Sequence, residues 1–330
     1  MDIGEFMSTT FPVLFIAFNR PEHTQKTLES LLVQHPQEIY VFQDGPRVGN
    51  EQDVVNCGLV RQVIEKLVRD TDILVHRHYS ETNRGCRDAI IYAISSVLRE
   101  REAVIVVEDD IITSPAFLSF MNQALVHYRE RKGVFSISGF SHSSSRFAIP
   151  DDYDYDVYCS PRLFNWGWGT WADRWFLTDW SMQYFTELSQ HLYEVDAFNR
   201  GGDDMMPMLC DEYNGRSSAW DIQFAYFHFY NHAVSIVPCQ SYTYNIGCDG
   251  SGTHCNDTQK KVETFAEISA LNSKTDIKFL DALYFDKRII NRQYNVFSRS
   301  KRPFYQRVIN TLARLMGKQP PFSIKKKIFV

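Results

Sequence analysis

The strongest constraint on the fold is an alternation of short apolar runs with amphipathic segments along the first third of the chain. The runs at 11–18 and 103–107 are continuously apolar, which is typical of strands that are buried on both faces. Together with the segments around them, they predict strands at 11–18, 38–43, 73–76 and 103–107 and helices at 22–35, 52–69 and from Gly85 onward. Strands that alternate with helices predict an α/β fold in which a mostly parallel sheet is flanked by helices.

The chain is long enough, and apolar enough, to bury a full core. It has 330 residues, of which 44% are hydrophobic, and this share excludes a disordered chain. No apolar run approaches the roughly 20 residues that cross a bilayer, and the first ten residues lack the pattern of a secretory signal. The seven cysteines form no CxxC pair, which favours reduced thiols. We therefore expect a cytoplasmic protein.

Polar residues follow the predicted strands. Asn19 and Arg20 follow the first strand, Asp44 follows the second, and the triplet Glu108-Asp109-Asp110 follows the fourth. Ligands bind at the carboxyl ends of parallel strands, so these side chains are candidates for a binding site. Adjacent carboxylates repel one another unless cations or hydroxyl groups neutralise them, and hard divalent cations take such oxygen ligands. The alternative is a solvated acidic turn. No GxGxxG or GxxxxGK[ST] motif follows any strand, which disfavours dinucleotide-binding and P-loop proteins.

Three further patterns lie in the second half of the chain. Trp166, Trp168 and Trp171 are separated by glycines, which predicts an open loop that offers indole faces to a flat ligand such as a sugar ring. The alternative is that these rings pack on the core. Asp221 starts an aromatic helix and is either a reactive carboxylate or a helix N-cap. His254 ends a glycine-rich segment and is either a metal ligand or a structural histidine.

This set of motifs resembles a known family of enzymes. The first strand ends in Asn-Arg-Pro, the second in Gln-Asp-Gly and the fourth in Glu-Asp-Asp, which looks like the nucleotide-sugar glycosyltransferases of the GT-A, Rossmann-like fold. The Gly-Trp segment, Trp220-Asp221 and the glycine-rich segment with His254 follow in an order similar to that of the N-acetylglucosaminyltransferase I group. The resemblance covers residues 11–256. The chain then divides into an N-terminal tail at 1–10, a nucleotide-sugar-binding half at 11–135, an acceptor-binding and catalytic half at 136–258 and a helical basic extension at 259–330.

The resemblance implies a role for each motif. It assigns donor binding to Asn19, Arg20, Asp44, Arg87, Glu108 and Asp109, Mn²⁺ or Mg²⁺ binding to Asp110 and His254, and acceptor binding to Trp166, Trp168 and Trp171. Asp221 would be the general base, and it would act alone because Trp220-Asp221-Ile222 lacks the second Asp that is frequent in that group. The implied reaction moves a sugar from a nucleoside diphosphate sugar, expected to be UDP-linked, to a hydroxyl of a glycan or lipid-linked saccharide. We expect inversion of the anomeric centre, and a retaining mechanism is the alternative.

Two other functions fit parts of the pattern. A nucleotidyltransferase also uses a parallel sheet, aspartates and Mg²⁺, but it normally carries a glycine-rich basic loop where this chain has Asn19-Arg20-Pro21-Glu22. A non-catalytic carbohydrate-binding protein would explain the tryptophans but not the acidic triplet. We expect no nucleic-acid partner.

The C-terminal segment is strongly basic. From Lys287 to Val330 there are twelve Lys or Arg and no Asp or Glu, whereas the preceding residues carry a net charge of −17. Residues 304–316 place apolar side chains at helical spacing, and Lys325-Lys326-Lys327 follow them. A basic amphipathic helix of this kind either lies on an anionic membrane surface or packs its apolar face on the catalytic domain. We expect the former, with the protein peripheral on the cytoplasmic membrane face.

Overall fold

A computed structural model describes residues 10–142, 147–247, 249, 271–298, 306, 309 and 321. The predicted alternation is present in the first part of the chain, with bounds that differ from the prediction by a few residues. The elements are β1 (Val13–Ala17), α1 (Pro21–Leu32), β2 (Glu38–Gln43), α2 (Glu51–Val68), β3 (Leu74–Tyr79), α3 (Cys86–Leu98) and β4 (Ala103–Glu108). Local chemistry fixes the helix starts: α1 begins with Pro21, and the Asn50 side chain caps α2 by accepting a 3.1 Å hydrogen bond from Asp53 N.

The second part of the chain is less regular. Its strands are β5 (Ile111–Thr113), β6 (Val134–Ser138), β7 (Val157–Ser160), β8 (Trp168–Trp171), β9 (Val234–Pro238) and β10 (Thr243–Asn245). Its helices are α4 (Phe117–His127), α5 (Ala172–Trp175), α6 (Phe185–Gln190), α7 (Leu192–Phe198), α8 (Met205–Tyr213), α9 (Trp220–Tyr230) and α10 (Lys287–Phe297), and a 3₁₀ turn spans Asn199–Gly201.

Eight of the ten strands in the described residues form one sheet in the order β3-β2-β1-β4-β8-β6-β9-β7. Strands β3, β2, β1 and β4 run parallel, and β8 is antiparallel to both of its neighbours. Residues of α1, α2 and α4 share one apolar core cluster with the sheet, while residues of α3, α8 and α9 share another. The prediction of an α/β fold with a mostly parallel sheet flanked by helices is confirmed.

The tryptophan segment is not an open loop, so that prediction is wrong for two of its three rings. Trp168 and Trp171 lie in β8 and are fully buried, while Trp166 is half-buried against the core. Gly169 permits this packing because a Cβ there would lie 3.0 Å from Val104 O of the neighbouring strand. Gly169 therefore reflects a close approach of backbone in the middle of the sheet, and the two buried indoles cannot stack on a ligand.

A small second sheet and the last helix complete the described fold. Strand β10 pairs antiparallel with β5, which places the segment after Thr243 beside the acidic triplet. Helix α10 packs on the body through Ile289 and Gln293, both buried. Of the predicted amphipathic segment 304–316, only residues 306 and 309 are among those described. No helix within the described ranges has the length and apolar character needed to cross a membrane.

Candidate active site

The polar residues that follow β1, β2 and β4 meet at one edge of the sheet. Ile16 of β1 is in register with Glu108 at the end of β4, and Ala17 is in register with Gln43 at the end of β2. The next residues along the three strands therefore emerge side by side. This edge is where parallel sheets bind ligands.

Arg20 holds two carboxylates of the triplet together. Its Nη2 donates to Asp109 Oδ1 and, over 3.0 Å, to Asp110 Oδ2. Asp109 is buried, and its Oδ2 accepts a 3.2 Å hydrogen bond from Phe18 N. Although burial opposes it, the two carboxylates raise the pKa of Arg20, so the guanidinium is permanently charged. Its Nη1 is buried close to Gly247 and has no hydrogen-bond partner among the described residues, so one donor of the cluster is unsatisfied.

Glu108 is withdrawn from water and lies close to the other carboxylates of the site. Withdrawal from bulk water and, after it, the charges of Asp110 and Asp109 raise its pKa above the usual range, and Asp221 adds to this effect. Burial likewise raises the pKa of Asp109, with Arg20 acting in the opposite direction. The triplet is therefore not a solvated acidic turn, because Asp109 is buried and paired with Arg20, and the pKa of Glu108 is raised by its surroundings.

Asp221 is brought from α9 to this cluster. Helix α9 begins at Trp220 with Ala219 in the N-cap position, so Asp221 is not the N-cap residue that the alternative interpretation required. Its charge acts on Glu108 and on Cys86, the first residue of α3. Cys86 is exposed in the cleft, and desolvation by the surrounding walls together with Glu108, Asp221 and Asp110 raises its pKa to about 12. The sequence analysis did not select Cys86, because it considered only the polar residues that directly follow a strand and Cys86 lies seven residues after the end of β3.

The segment after β10 closes over the acidic triplet. Ile246 N donates a 2.8 Å hydrogen bond to Asp110 O, and a Cβ on Gly247 would lie 2.1 Å from Asp110 Oδ2. Only glycine fits at this contact. The glycine-rich segment thus meets the triplet, but His254, its predicted metal ligand, lies outside the described residues.

The remaining predicted donor-binding residues are engaged with protein groups. Asn19 Nδ2 donates to Asp53 Oδ1 over 2.8 Å, and Asp44 accepts hydrogen bonds from Arg84 N and Asn83 Nδ2 over 3.0 and 2.9 Å. Asp44 therefore fixes the loop that precedes α3. Arg87 Nε donates to Gln223 Oε1 over 2.9 Å, which ties the start of α3 to α9. Sequence reasoning missed Gln223, because a contact between residues so far apart in the chain leaves no local pattern.

The carboxylate oxygens of the site suit a hard divalent cation whose remaining ligands come from the substrate. The described residues contain no group of three or more His, Cys, Asp or Glu placed to hold a metal. The carboxylates of Glu108 and Asp110 nevertheless offer the oxygen donors that Mg²⁺ and Mn²⁺ prefer, and such ions commonly use one or two carboxylates with substrate phosphates. Arg20 compensates only part of the negative charge of the triplet and Asp221, so a further cation fits the electrostatics of the site.

Comparisons with known proteins give similarity at the level of solved structures alone. The chain matches no protein-family profile and no curated protein sequence. One similar solved structure is a UDP-glucose pyrophosphorylase in complex with UDP-glucose, with a TM-score of 0.36, 11% identity, and coverage of 70% of this chain and 90% of that chain. Another is a 4-diphosphocytidyl-2C-methyl-D-erythritol synthase from Anaerococcus prevotii, with a TM-score of 0.28, 12% identity, and coverage of 51% and 73%. The choice of function rests on the site itself.

Proposed function

We propose that this chain is a divalent-cation-dependent transferase that uses a nucleoside diphosphate sugar and moves the sugar to a hydroxyl of a saccharide. The observation that carries the proposal is the convergence of Arg20, the acidic triplet and Asp221 at the carboxyl edge of the parallel strands. In this arrangement Arg20 can bind an anion, and the carboxylates of the triplet can bind a cation. Asp221 is a separate carboxylate that comes from another element, α9.

Arg20 would bind the diphosphate. Its unpartnered Nη1 donates to a diphosphate oxygen in this proposal, while Nη2 keeps Asp109 and Asp110 in place. Asp110, with Glu108 beside it, would hold Mn²⁺ or Mg²⁺, which stabilises negative charge on the leaving diphosphate as a Lewis acid. Asn19 and Asp44 remain proposed contacts of the nucleoside, and both are already oriented by hydrogen bonds.

Asp221 would be the general base. The acceptor oxygen attacks the anomeric carbon and forms the new glycosidic bond, the bond from that carbon to the diphosphate oxygen breaks, and its electron pair leaves with the diphosphate. The acceptor proton passes to the Asp221 carboxylate. One attack with one base inverts the anomeric centre. A carboxylate placed as Asp221 is has a function in sugar transfer, because the attacking hydroxyl must lose a proton. It has no such function in nucleotidyl transfer, because the attacking phosphate is already an anion. We therefore favour sugar transfer.

Nucleotidyl transfer is the second candidate. It is the type of reaction in the name of the UDP-glucose pyrophosphorylase to which the chain is similar. Against it, β1 ends at Ala17 and α1 begins at Pro21, so only three residues connect them and no glycine-rich loop is present there. The two candidates differ in products, because sugar transfer releases a nucleoside diphosphate and nucleotidyl transfer releases pyrophosphate.

The decisive assay measures both products. Wild-type protein is given UDP-glucose and a mixture of methyl glycosides as acceptors, with Mn²⁺ or with a chelator, and separately UTP with glucose 1-phosphate. We expect metal-dependent release of UDP and no pyrophosphate, and we expect Asp110→Ala to abolish UDP release because an oxygen ligand is lost. Asp70→Ala, which changes an exposed aspartate remote from the sheet edge, is the matched control. Release of pyrophosphate alone would select the second candidate, and full activity of Asp110→Ala would remove the cation from the proposal.

The basic C-terminal segment is proposed to place the enzyme on an anionic membrane surface. Arg299 to Val330 contains nine Lys or Arg and no Asp or Glu. Each basic residue near such a surface contributes about 1 kcal/mol of attraction. A lipid-linked saccharide would then be presented to the enzyme at that surface.

A further inference from the structure

An open cavity of about 430 Å³ lies beside the candidate active site. Its walls come from the start of α3, the loop that carries Trp180 and Met182, the end of α8, and the first turns of α9. Arg87 and Gln223 line it, and their 2.9 Å hydrogen bond joins α3 to α9. Each of these residues lies within two positions of a member of the active-site cluster, Cys86 or Asp221. The cavity therefore adjoins the first turns of the two helices that carry Cys86 and Asp221.

The polar part of the wall is fixed and has no net charge. Glu212 Oε2 accepts hydrogen bonds from Ser217 Oγ and Ala219 N over 2.7 and 2.6 Å, and its other oxygen lies 3.4 Å from Arg87 Nε. Among the lining residues, Arg84 and Arg87 balance Asp88 and Glu212. A balanced set of donors and acceptors suits a neutral polar ligand better than a diphosphate.

Two aromatic rings supply flat apolar faces on the same cavity. Tyr213 is 45% exposed and is supported from behind by Phe185, with the ring centroids 4.0 Å apart. Trp180 is half-buried, and its ring lies 4.9 Å from that of Trp175. Aromatic faces combined with a few fixed polar groups are the surface that a pyranose ring needs, because the ring has an apolar face and a rim of hydroxyls.

The loop that carries Trp180 is held in a conformation of high energy. Met182 has a φ of +54°, in the left-handed region that non-glycine residues rarely adopt. The Asp179 carboxylate holds the loop by accepting hydrogen bonds from Ser181 N and Gln183 N over 2.9 and 3.0 Å. Strain of this kind persists where the surroundings impose it, and it is concentrated at binding sites. The aromatic wall is thus built in advance of any ligand.

We propose that this cavity binds a neutral hexopyranose ring of the acceptor, with its apolar face on Trp180 and Tyr213 and its hydroxyls toward Arg84, Ser218 and Gln223. These residues would then do what the sequence assigned to Trp168 and Trp171, which are buried. The proposal rests on the function proposed above, since it makes the bound sugar the acceptor. Its test reads binding without turnover, so that the two proposals can fail separately.

The experiment is saturation-transfer NMR with the full chain and the methyl glycosides of glucose, galactose, mannose and N-acetylglucosamine at millimolar concentration. We expect transfer from aromatic protons to at least one glycoside, and loss of that signal in Tyr213→Ala and in Trp180→Ala. Tyr193→Ala removes a tyrosine that is 63% exposed and does not line the cavity, so it should keep the signal. Because nearly half of Tyr213 is exposed, we expect Tyr213→Ala to keep the fold, and a melting curve checks this.

The controls separate the acceptor cavity from the donor site. Asp110→Ala should keep the glycoside signal even though it loses UDP release, and UDP added with Mn²⁺ should not displace the glycoside. Displacement by UDP would place the cavity in the donor site and overturn the proposal. Absence of signal with every glycoside, or a signal that survives Tyr213→Ala and Trp180→Ala together, would also overturn it. If the protein gives a glycoside signal but releases no UDP, the proposed function is contradicted, whereas the proposal that the cavity binds a hexopyranose is supported.

Discussion

At the scale of single residues, the proposed role of Asp221 as general base can be tested by one substitution. Asp221→Asn keeps the shape of the side chain but cannot accept a proton, so we expect turnover to fall by about 10² to 10⁴. Donor binding, measured by calorimetry with UDP and Mn²⁺, should change little. Asp211→Asn on the neighbouring helix α8 is the matched control, because Asp211 is exposed and pairs with Arg216. Normal turnover with a lower melting temperature would show that Asp221 acts only in the stability of α9.

A second residue, His228, makes stability depend on pH. It is fully buried, with Nδ1 2.6 Å from Phe224 O and Nε2 2.9 Å from Ser136 Oγ, and burial lowers its pKa to about 4. The unfolded chain takes up a proton near pH 6.5 and the folded chain does not, so stability falls as pH decreases from 6.5 to 4. We expect a loss of up to about 3 kcal/mol from this group. Urea unfolding at pH 7 and pH 5 measures it, and His228→Gln should show a smaller difference between the two pH values.

At the scale of elements, β8 shows how a buried strand supports the site. Trp168 stacks on Trp220 with the ring centroids 5.2 Å apart, and Trp220 directly precedes Asp221. We expect Trp168→Ala to destabilise the fold by about 3 to 5 kcal/mol, because a large buried ring is lost from the core. Urea unfolding tests this, and Trp166→Ala, which removes a half-buried ring, should cost less. An unchanged unfolding midpoint in Trp168→Ala would contradict the burial of this ring.

The same elements show which parts of the fold the sequence could predict. Strand β2 was predicted with its observed bounds, because a short apolar run between turn residues depends only on local pattern. The pairing of β5 with β10 was not predicted, since it joins residues that are far apart in the chain. The burial of Trp168 was missed because a strand with glycine in it can resemble a loop until its neighbours are known. The same holds for the candidate site. Its residues at the strand ends could be predicted from local pattern, whereas Gly247 and Gln223 belong to the site only through contacts with residues far away in the chain.

At the scale of the whole molecule, the basic C-terminal segment has two parts. Its first part is α10, whose Gln293 Oε1 lies 3.1 Å from the Ser160 hydroxyl and whose Arg288 pairs with Asp152 and Asp286. These contacts belong to the fold. Nine of the twelve basic residues follow Ser298 in the sequence, so a truncation that tests membrane binding should end there and not before α10.

The corresponding measurement is sedimentation with vesicles. We expect the full chain to pellet with anionic vesicles at low salt, and to stay in the supernatant at high salt or with neutral vesicles, because the attraction is electrostatic. A chain that ends at Ser298 should remain in the supernatant and keep the melting temperature of the full chain. If the full chain ignores anionic vesicles at low salt, membrane attachment through this segment is wrong.

The environment of Cys86 also determines how readily its thiol is oxidised. Its thiol is exposed in the cleft, and a pKa of about 12 leaves almost none of it as thiolate at neutral pH. Peroxide and other oxidants attack the thiolate and not the thiol. Desolvation, with the charges of the nearby carboxylates added to it, thereby protects the most exposed cysteine of the described residues from sulfenic acid formation, and the ligand-free protein should tolerate oxidising conditions without losing this site.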